Sequence, residues 1–180
     1  MLEYIKSDYT RYYGSGSAKM WKIILSVVLG KNHCFVFSFW LRLCMKKTVL
    51  YPIARLMHRK YARKFGLQIP VGTKIGYGLY IGHGIGIVIN QSAVIGNNVN
   101  LSQFLTIGTN KKTGAVIGDN VYIGPSVCIV EDVHIGNNTT VGAGAVVTKD
   151  IPDNATVVGA PAKVLNYNDP GRYVNRRWVM

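Results

Sequence analysis

Cysteine is scarce in this chain: Cys34, Cys44 and Cys128 are the only three in 180 residues, an odd number without paired spacing. That excludes a disulfide framework, which a chain of this length does not need, and fits a reducing cytoplasm. Cys128 sits between Val127 and Ile129 in a stretch read below as core, so a half-buried, inert thiol is expected there. Long apolar runs are missing too. Ile23–Leu29 and Cys34–Leu43 fall far short of the roughly 20 residues that span a bilayer, so no transmembrane anchor is expected. The first twenty residues carry Glu3 and Asp8 and lack an apolar core ending in a small-residue cleavage site, so no signal peptide is expected. Histidine is also sparse: between residues 67 and 165 only His83 and His134 occur. A zinc site wants about three ligands, so no metal is expected.

Acidic residues are few, and their shortage is local. Residues 1–66 hold 13 Lys and Arg against Glu3 and Asp8, residues 67–165 hold five of each sign, and residues 166–180 hold three Arg against Asp169. The basic third reads as helical. From Ile53 to Phe65 the residues Ile53, Leu56, Met57, Tyr61 and Phe65 recur at three or four, with Pro52 suited to a first turn and Gly66 to an end. Two readings follow: an amphipathic helix packed on the rest of the chain or on a neighbouring subunit, or a peripheral contact with an anionic membrane. No motif for DNA or RNA binding accompanies the charge, so nucleic acid is not an expected partner.

What is abundant is a period of six. Ile69, Ile75, Ile81 and Ile87 form one run, Ile89, Ile95, Leu101 and Ile107 a second, and Ile117, Ile123, Ile129, Ile135, Val141 and Val147 a third. Neither a helix nor a plain strand alternation has that period, so the expected fold is a three-sided parallel solenoid over 67–165, with aliphatic side chains stacked inside. Asn97-Asn98, Asp119-Asn120 and Asn137-Asn138 mark its sharp turns, because Asn and Asp tolerate the left-handed backbone region. The step from Ile87 to Ile95 is eight residues and that from Ile107 to Ile117 is ten, and such insertions leave from one face and often build a binding site. His83, in the third slot of its hexad and flanked by glycines, is expected to project outward, with Ile81 and Ile85 turned inward or lining the corner. Histidine, with an unperturbed pKa of about 6.5, is the side chain best suited to take a proton from an alcohol near neutral pH.

Lys74 through Ile89, then Gln103 through Gly108, Val141 through Val147, and the closing Val158-Gly159-Ala160-Pro161-Ala162-Lys163-Val164 together resemble the bacterial serine acetyltransferase family of left-handed β-helix acyltransferases. The resemblance implies a left-handed coil and a homotrimer, or a dimer of trimers, with acetyl-CoA lying between neighbouring subunits. It makes His83 the general base. Gly108, Gly142, Ala143, Gly144 and Ala145 would let the cofactor's arm come close, while Lys149, Gly159, Ala160 and Lys163 fall near its nucleotide end. Where the family has an aspartate supporting the histidine, this chain has Gln68, which can orient the ring but cannot offset its charge. Where the family has an Arg-His pair for the serine carboxylate, the loop Thr109–Gly114 is short and offers only Lys111 and Lys112, beside Gln103, as acceptor-binding candidates. Those departures turn the expected acceptor from L-serine, kept as the alternative, to a sugar hydroxyl of a capsular or exopolysaccharide precursor. The expected location is then the cytoplasm, at the inner face of the membrane. The tail, 166–180, is expected either to cap the solenoid or to reach a neighbouring subunit.

Overall fold

The computed structural model describes residues 1–14 and 18–179. Short strands stack in parallel on three faces. The first face holds β1 (Lys74–Ile75), β4 (Val94–Ile95), β7 (Val116–Ile117) and β10 (His134–Ile135). The second holds β2 (Tyr80–Ile81), β5 (Asn100–Leu101), β8 (Tyr122–Ile123), β11 (Thr140–Val141) and β13 (Thr156–Val158), with β14 (Lys163–Asn166) returning antiparallel. The third holds β3 (Val88–Ile89), β6 (Thr106–Gly108), β9 (Cys128–Val130) and β12 (Val146–Val147). The register sets like on like: Ile75, Ile95 and Ile117 form one column, Ile81, Leu101 and Ile123 a second, and Ile89, Ile107, Ile129 and Val147 a third. All are buried. Each such side chain contributes about 1.5–3 kcal/mol of transfer free energy, and the period of six follows because each face exposes one inward aliphatic per coil.

The Gly-Asn-Asn spacing has a physical cause at the corner between the first and second faces. Asn98, Asn120, Asn138 and Asn154 all take positive φ, from 54° to 64°. Their amides form a ladder from coil to coil, Asn98 donating to Asn120 at 3.3 Å, Asn120 to Asn138 at 3.1 Å and Asn138 to Asn154 at 3.1 Å. The residue before each turns its side-chain oxygen back: Asn137 Oδ1 accepts from Asp119 N at 2.8 Å, and Asp153 Oδ1 from Asn137 N at 2.6 Å. That oxygen occupies the space beside the preceding glycine, so a Cβ on Gly118 would lie 2.7 Å from Asn137 Oδ1.

The surplus of two residues lies elsewhere than the spacing suggests. Because Ile89, not Ile87, pairs with Ile107, the long step runs from Ile81 to Ile89, where Leu101 to Ile107 and Ile123 to Ile129 are of ordinary length. The insertion therefore sits in the His83 corner itself. Of the two residues beside it, Ile81 turns inward and Ile85, 50% exposed, lines the corner.

Among the described residues, four helices cover the open end of the solenoid: α1 (Leu2–Tyr13), α2 (Met20–Val28), α3 (His33–Leu43) and α4 (Tyr51–Phe65). Helix α4 starts with Pro52 in its first turn and ends on Gly66 in the left-handed conformation. Ala54 and His58 are its buried residues, and Tyr61 and Phe65 of the expected stripe pack partly buried against the core, while Ile53 and Leu56 are 56% and 67% exposed, so the packed stripe follows the expected one only in its C-terminal half. Side chains from α1 and α3 satisfy the first coil, whose backbone has no coil above it. Asp8 and Arg42 form a buried bidentate pair, 2.8 Å from Nε to Oδ2 and 3.0 Å from Nη2 to Oδ1. Arg42 then donates to the Ile75 and Gly76 carbonyls at 2.8 and 2.6 Å, Asp8 Oδ1 accepts from Leu79 N at 2.9 Å, and Arg11 donates to the Gly78 carbonyl at 2.8 Å. Among the described residues no single helix is long and apolar enough to cross a membrane; α2 and α3 pass on length and composition only as a pair bent by 116°.

The tail makes its hydrogen bonds along the side of its own protomer. It runs along the asparagine corner, where Trp178 N donates to Asn98 Oδ1 at 2.8 Å and Gly171 N to the Asn138 carbonyl at 2.6 Å, and it reaches α1 through the Asn175 carbonyl, which accepts from Arg11 Nε at 3.0 Å. One corner of the prism is thereby covered.

Candidate active site

The extra two residues lift His83 out of the corner between the second and third faces. Its ring is exposed, its φ is 51°, and it makes no hydrogen bond among the described residues. The corner around it is fixed from the helical side. Tyr12 Oη accepts from Ile81 N at 2.9 Å and donates to the Ile81 carbonyl at 3.1 Å, and Cys34 Sγ accepts from Gly84 N at 3.1 Å. Burial pushes the Tyr12 phenol well above its ordinary pKa and raises that of the Cys34 thiol, so both stay protonated at neutral pH. Neither residue carries a local signal in the sequence, because their role depends on α1 and α3 docking on the first coil.

Below His83 the same corner repeats in each coil. Phe104 N donates to the Ile85 carbonyl, Ser126 N to that of Gln103, and Gly144 N to that of Pro125, each at 2.9 Å. The corner thus stacks the His83 bulge over Gln103-Phe104, Pro125-Ser126 and Ala143-Gly144. Coils are about 4.8 Å apart, so Gly144 lies on the order of 14 Å along the corner from the first coil. At Gly144, where φ is 69°, nothing lies within 4 Å of a built Cβ, leaving room for a ligand to approach the backbone. Phe104, 56% exposed beside Gly86, is a further surface aromatic at this corner that hexad reading passes over.

The other expected site residues divide between this corner, the third face and its far corner. Gly142 and Ala143 stand at the His83 corner. Ala145 is fully buried beside them, its carbonyl accepting from Cys128 N at 2.9 Å and its N–H donating to the Gly142 carbonyl at 3.3 Å. Gly108 lines a groove of about 380 Å³ on the third face with Ile89, Asn90, Thr109 and Glu131. Lys111 and Lys112 project from the loop after β6, but Lys111 is paired to Asp132 at 2.7 Å, which reduces its value as a carboxylate partner. Lys149 is exposed just after β12. Gly159, Ala160 and Lys163 belong to the β13–β14 turn, which folds onto β12 as Val146 N donates to the Gly159 carbonyl at 3.0 Å and Ala162 N to that of Val146 at 2.8 Å. Gln68 extends the third face upward, its N–H donating to the Ile87 carbonyl at 2.7 Å and its carbonyl accepting from Ile89 N at 2.9 Å; its side chain is exposed and not bonded to His83.

Residues 114–149 match the bacterial transferase hexapeptide (six repeats) family. The serine acetyltransferase of Bacillus subtilis is 37% identical over 134 residues, which cover 72% of this chain and 61% of that protein. The solved structure of Neisseria gonorrhoeae serine acetyltransferase in complex with serine is 30% identical with a TM-score of 0.71, covering 90% of this chain and 67% of that one. That of Brucella abortus serine acetyltransferase in complex with coenzyme A is 25% identical with a TM-score of 0.72, covering 91% and 66%. The chain spans between 34% and 61% of the length of curated relatives that it matches.

Proposed function

This chain belongs to the serine acetyltransferase-like family of hexapeptide-repeat, left-handed β-helix acyltransferases, and on that footing we propose that it is an acetyl-CoA-dependent O-acetyltransferase acting as a cytoplasmic homotrimer. The observation that carries this reading is the exposed His83 on its two-residue bulge, at the head of a corner that continues through Gln103 to the open backbone of Gly144. His83 takes the proton of an acceptor hydroxyl. The acceptor oxygen bonds to the thioester carbonyl carbon, the C–S bond breaks, and the proton passes from the imidazolium to the departing thiolate. The donor arm runs down the corner past Ala143 and Gly144, with Lys149, Gly159, Ala160 and Lys163 at its nucleotide end, and Gly108 on the intervening face. A neighbouring subunit supplies the other wall. Gln68 stands near the position of a supporting aspartate without its charge, so the ring is oriented mainly by its corner.

The names of the relatives favour L-serine as acceptor over the glycan precursor that the sequence suggests. The glycan reading keeps one specific observation in its favour: the loop after β6 holds neither Arg nor His, and Lys111 is already paired with Asp132. Release of free thiol from acetyl-CoA separates the two. With L-serine as acceptor, thiol should appear well above the rate with acetyl-CoA alone, and nucleotide sugars should add nothing. Turnover with a nucleotide sugar and none with L-serine reverses the assignment, and no release with either removes the enzymatic reading.

Tyr12 is a positioning residue in this scheme. Tyr12→Phe keeps the ring but loses both hydrogen bonds to Ile81, worth about 0.5–1.5 kcal/mol each. A kcat about tenfold lower with KM for acetyl-CoA unchanged is expected. A fall in melting temperature with kcat intact would reduce Tyr12 to a structural role.

A further inference from the structure

Helix α4 and the upper edge of the third face enclose a cleft of about 740 Å³ that the proposed reaction leaves unused. Arg55, Arg59 and Arg63, one turn apart on one flank of α4, line one side. Gln68 and Gln91 stand opposite, with Val88 and Ile89 between them. No Asp or Glu lines the cleft, and none of the three guanidinium groups has an ion pair or side-chain hydrogen bond among the described residues. Unneutralised guanidinium groups gathered in a concave, partly apolar site set up a strong positive potential.

His58 forms part of the same wall and is 6% exposed. Its Nε2 lies 3.2 Å from the Ile69 carbonyl, which can only accept, so Nε2 carries the proton. Nδ1 is buried with no hydrogen-bond partner among the described residues. A buried polar atom left unsatisfied costs about 1–3 kcal/mol, and natural sites seldom keep one without a use. Burial also lowers the imidazole pKa, which favours the neutral ring.

We propose that this cleft binds the phosphate or diphosphate group of a small-molecule ligand, held by Arg55, Arg59 and Arg63 with His58 and Gln68 at its base. Guanidinium forks match phosphate oxygens in pairs, a P–OH of pyrophosphate or a hydroxyl of a nucleotide sugar can donate to the bare Nδ1, and the two glutamine amides can donate to further oxygens. The site is not that of the acetyl donor: the residues assigned to the donor's phosphates, Lys149 and Lys163, belong to the last coils, on the order of 14 Å away along the solenoid axis. It does not depend on the reaction being acetyl transfer. Because the floor strand β3 directly follows the His83 corner, the ligand lies on the same open face as the candidate base.

The test is isothermal titration of the full-length protein with pyrophosphate, with UDP-N-acetylglucosamine, with coenzyme A, and with vesicles containing phosphatidylglycerol. Pyrophosphate or the nucleotide sugar should bind, and each of Arg55→Gln, Arg59→Gln and Arg63→Gln should weaken that binding about tenfold, the loss of one charge-assisted contact. These positions are on the surface of α4, so circular dichroism and melting temperature should stay as in the parent. Binding only to vesicles, lost in the same variants, keeps the phosphate site and identifies its source as a lipid headgroup. Binding unaffected by the three substitutions, no binding in any arm, or displacement of pyrophosphate by coenzyme A would each overturn the assignment. Loss of binding here with acetyl transfer intact would remove this site alone, whereas absence of transfer with binding intact would remove only the enzymatic reading.

Discussion

Replacing His83 with asparagine is expected to lower kcat for acetyl transfer by roughly 10²- to 10⁴-fold, the usual contribution of a positioned acid-base group. Asparagine is the better substitution because the backbone there has φ 51°, a region that Asn enters with less strain than Ala does. It keeps the bulge and removes the base. The imidazole is exposed and makes no hydrogen bond among the described residues, so the melting temperature and the oligomeric state should not change. KM for acetyl-CoA should hold as well, since the ring acts on the acceptor proton and not on the cofactor's nucleotide. Steady-state kinetics with thiol detection reads all three quantities. A variant that keeps most of its kcat would take His83 out of the mechanism, and one that loses activity only by falling apart would make it structural.

The second large effect is on stability. Arg42→Ala should destabilise the docking of the helices on the solenoid by about 3–5 kcal/mol, the cost of leaving a buried partner charge uncompensated. Asp8 is fully buried and would keep only its bonds to Ser38 and Leu79 N, while the Ile75 and Gly76 carbonyls would lose their donor. For a chain of this size the shift in melting temperature is on the order of 10 °C. Urea unfolding followed by far-ultraviolet circular dichroism checks it, and the helical signal should be lost first because the Arg42 contacts end at the first coil. The double variant Asp8→Leu, Arg42→Met should recover much of the loss, as apolar replacements of buried ion pairs commonly do. A single-variant cost under 1 kcal/mol would mean that the pair does not hold the helices in place.

The solenoid was legible because its cause is local. One inward aliphatic per face produces the period of six, and Asn98, Asn120 and Asn138 mark the corner that requires positive φ. The position of the two-residue insertion was not legible. Ile87 and Ile89 are both buried, so either satisfies the pattern, and only strand pairing shows that Ile89 is the one in register with Ile107. The outward turn of His83 could be read from its slot, but the means of fixing it could not, since Tyr12 and Cys34 come from helices far earlier in the chain. The pair of Asp8 with Arg42 is equally nonlocal. Basic residues on α4 were visible as a stripe, yet whether they face solvent, a membrane or a cleft depends on how α4 packs, and its buried line of Ala54 and His58 is not the most apolar one.

The most direct test of the account is a crystal structure of the protein with coenzyme A. The thiol should lie within hydrogen-bonding reach of the His83 imidazole, with the arm passing Ala143 and Gly144 and the nucleotide beside Lys149 and Lys163. Coenzyme A bound against the tail-covered corner, or with its thiol remote from His83, would contradict it.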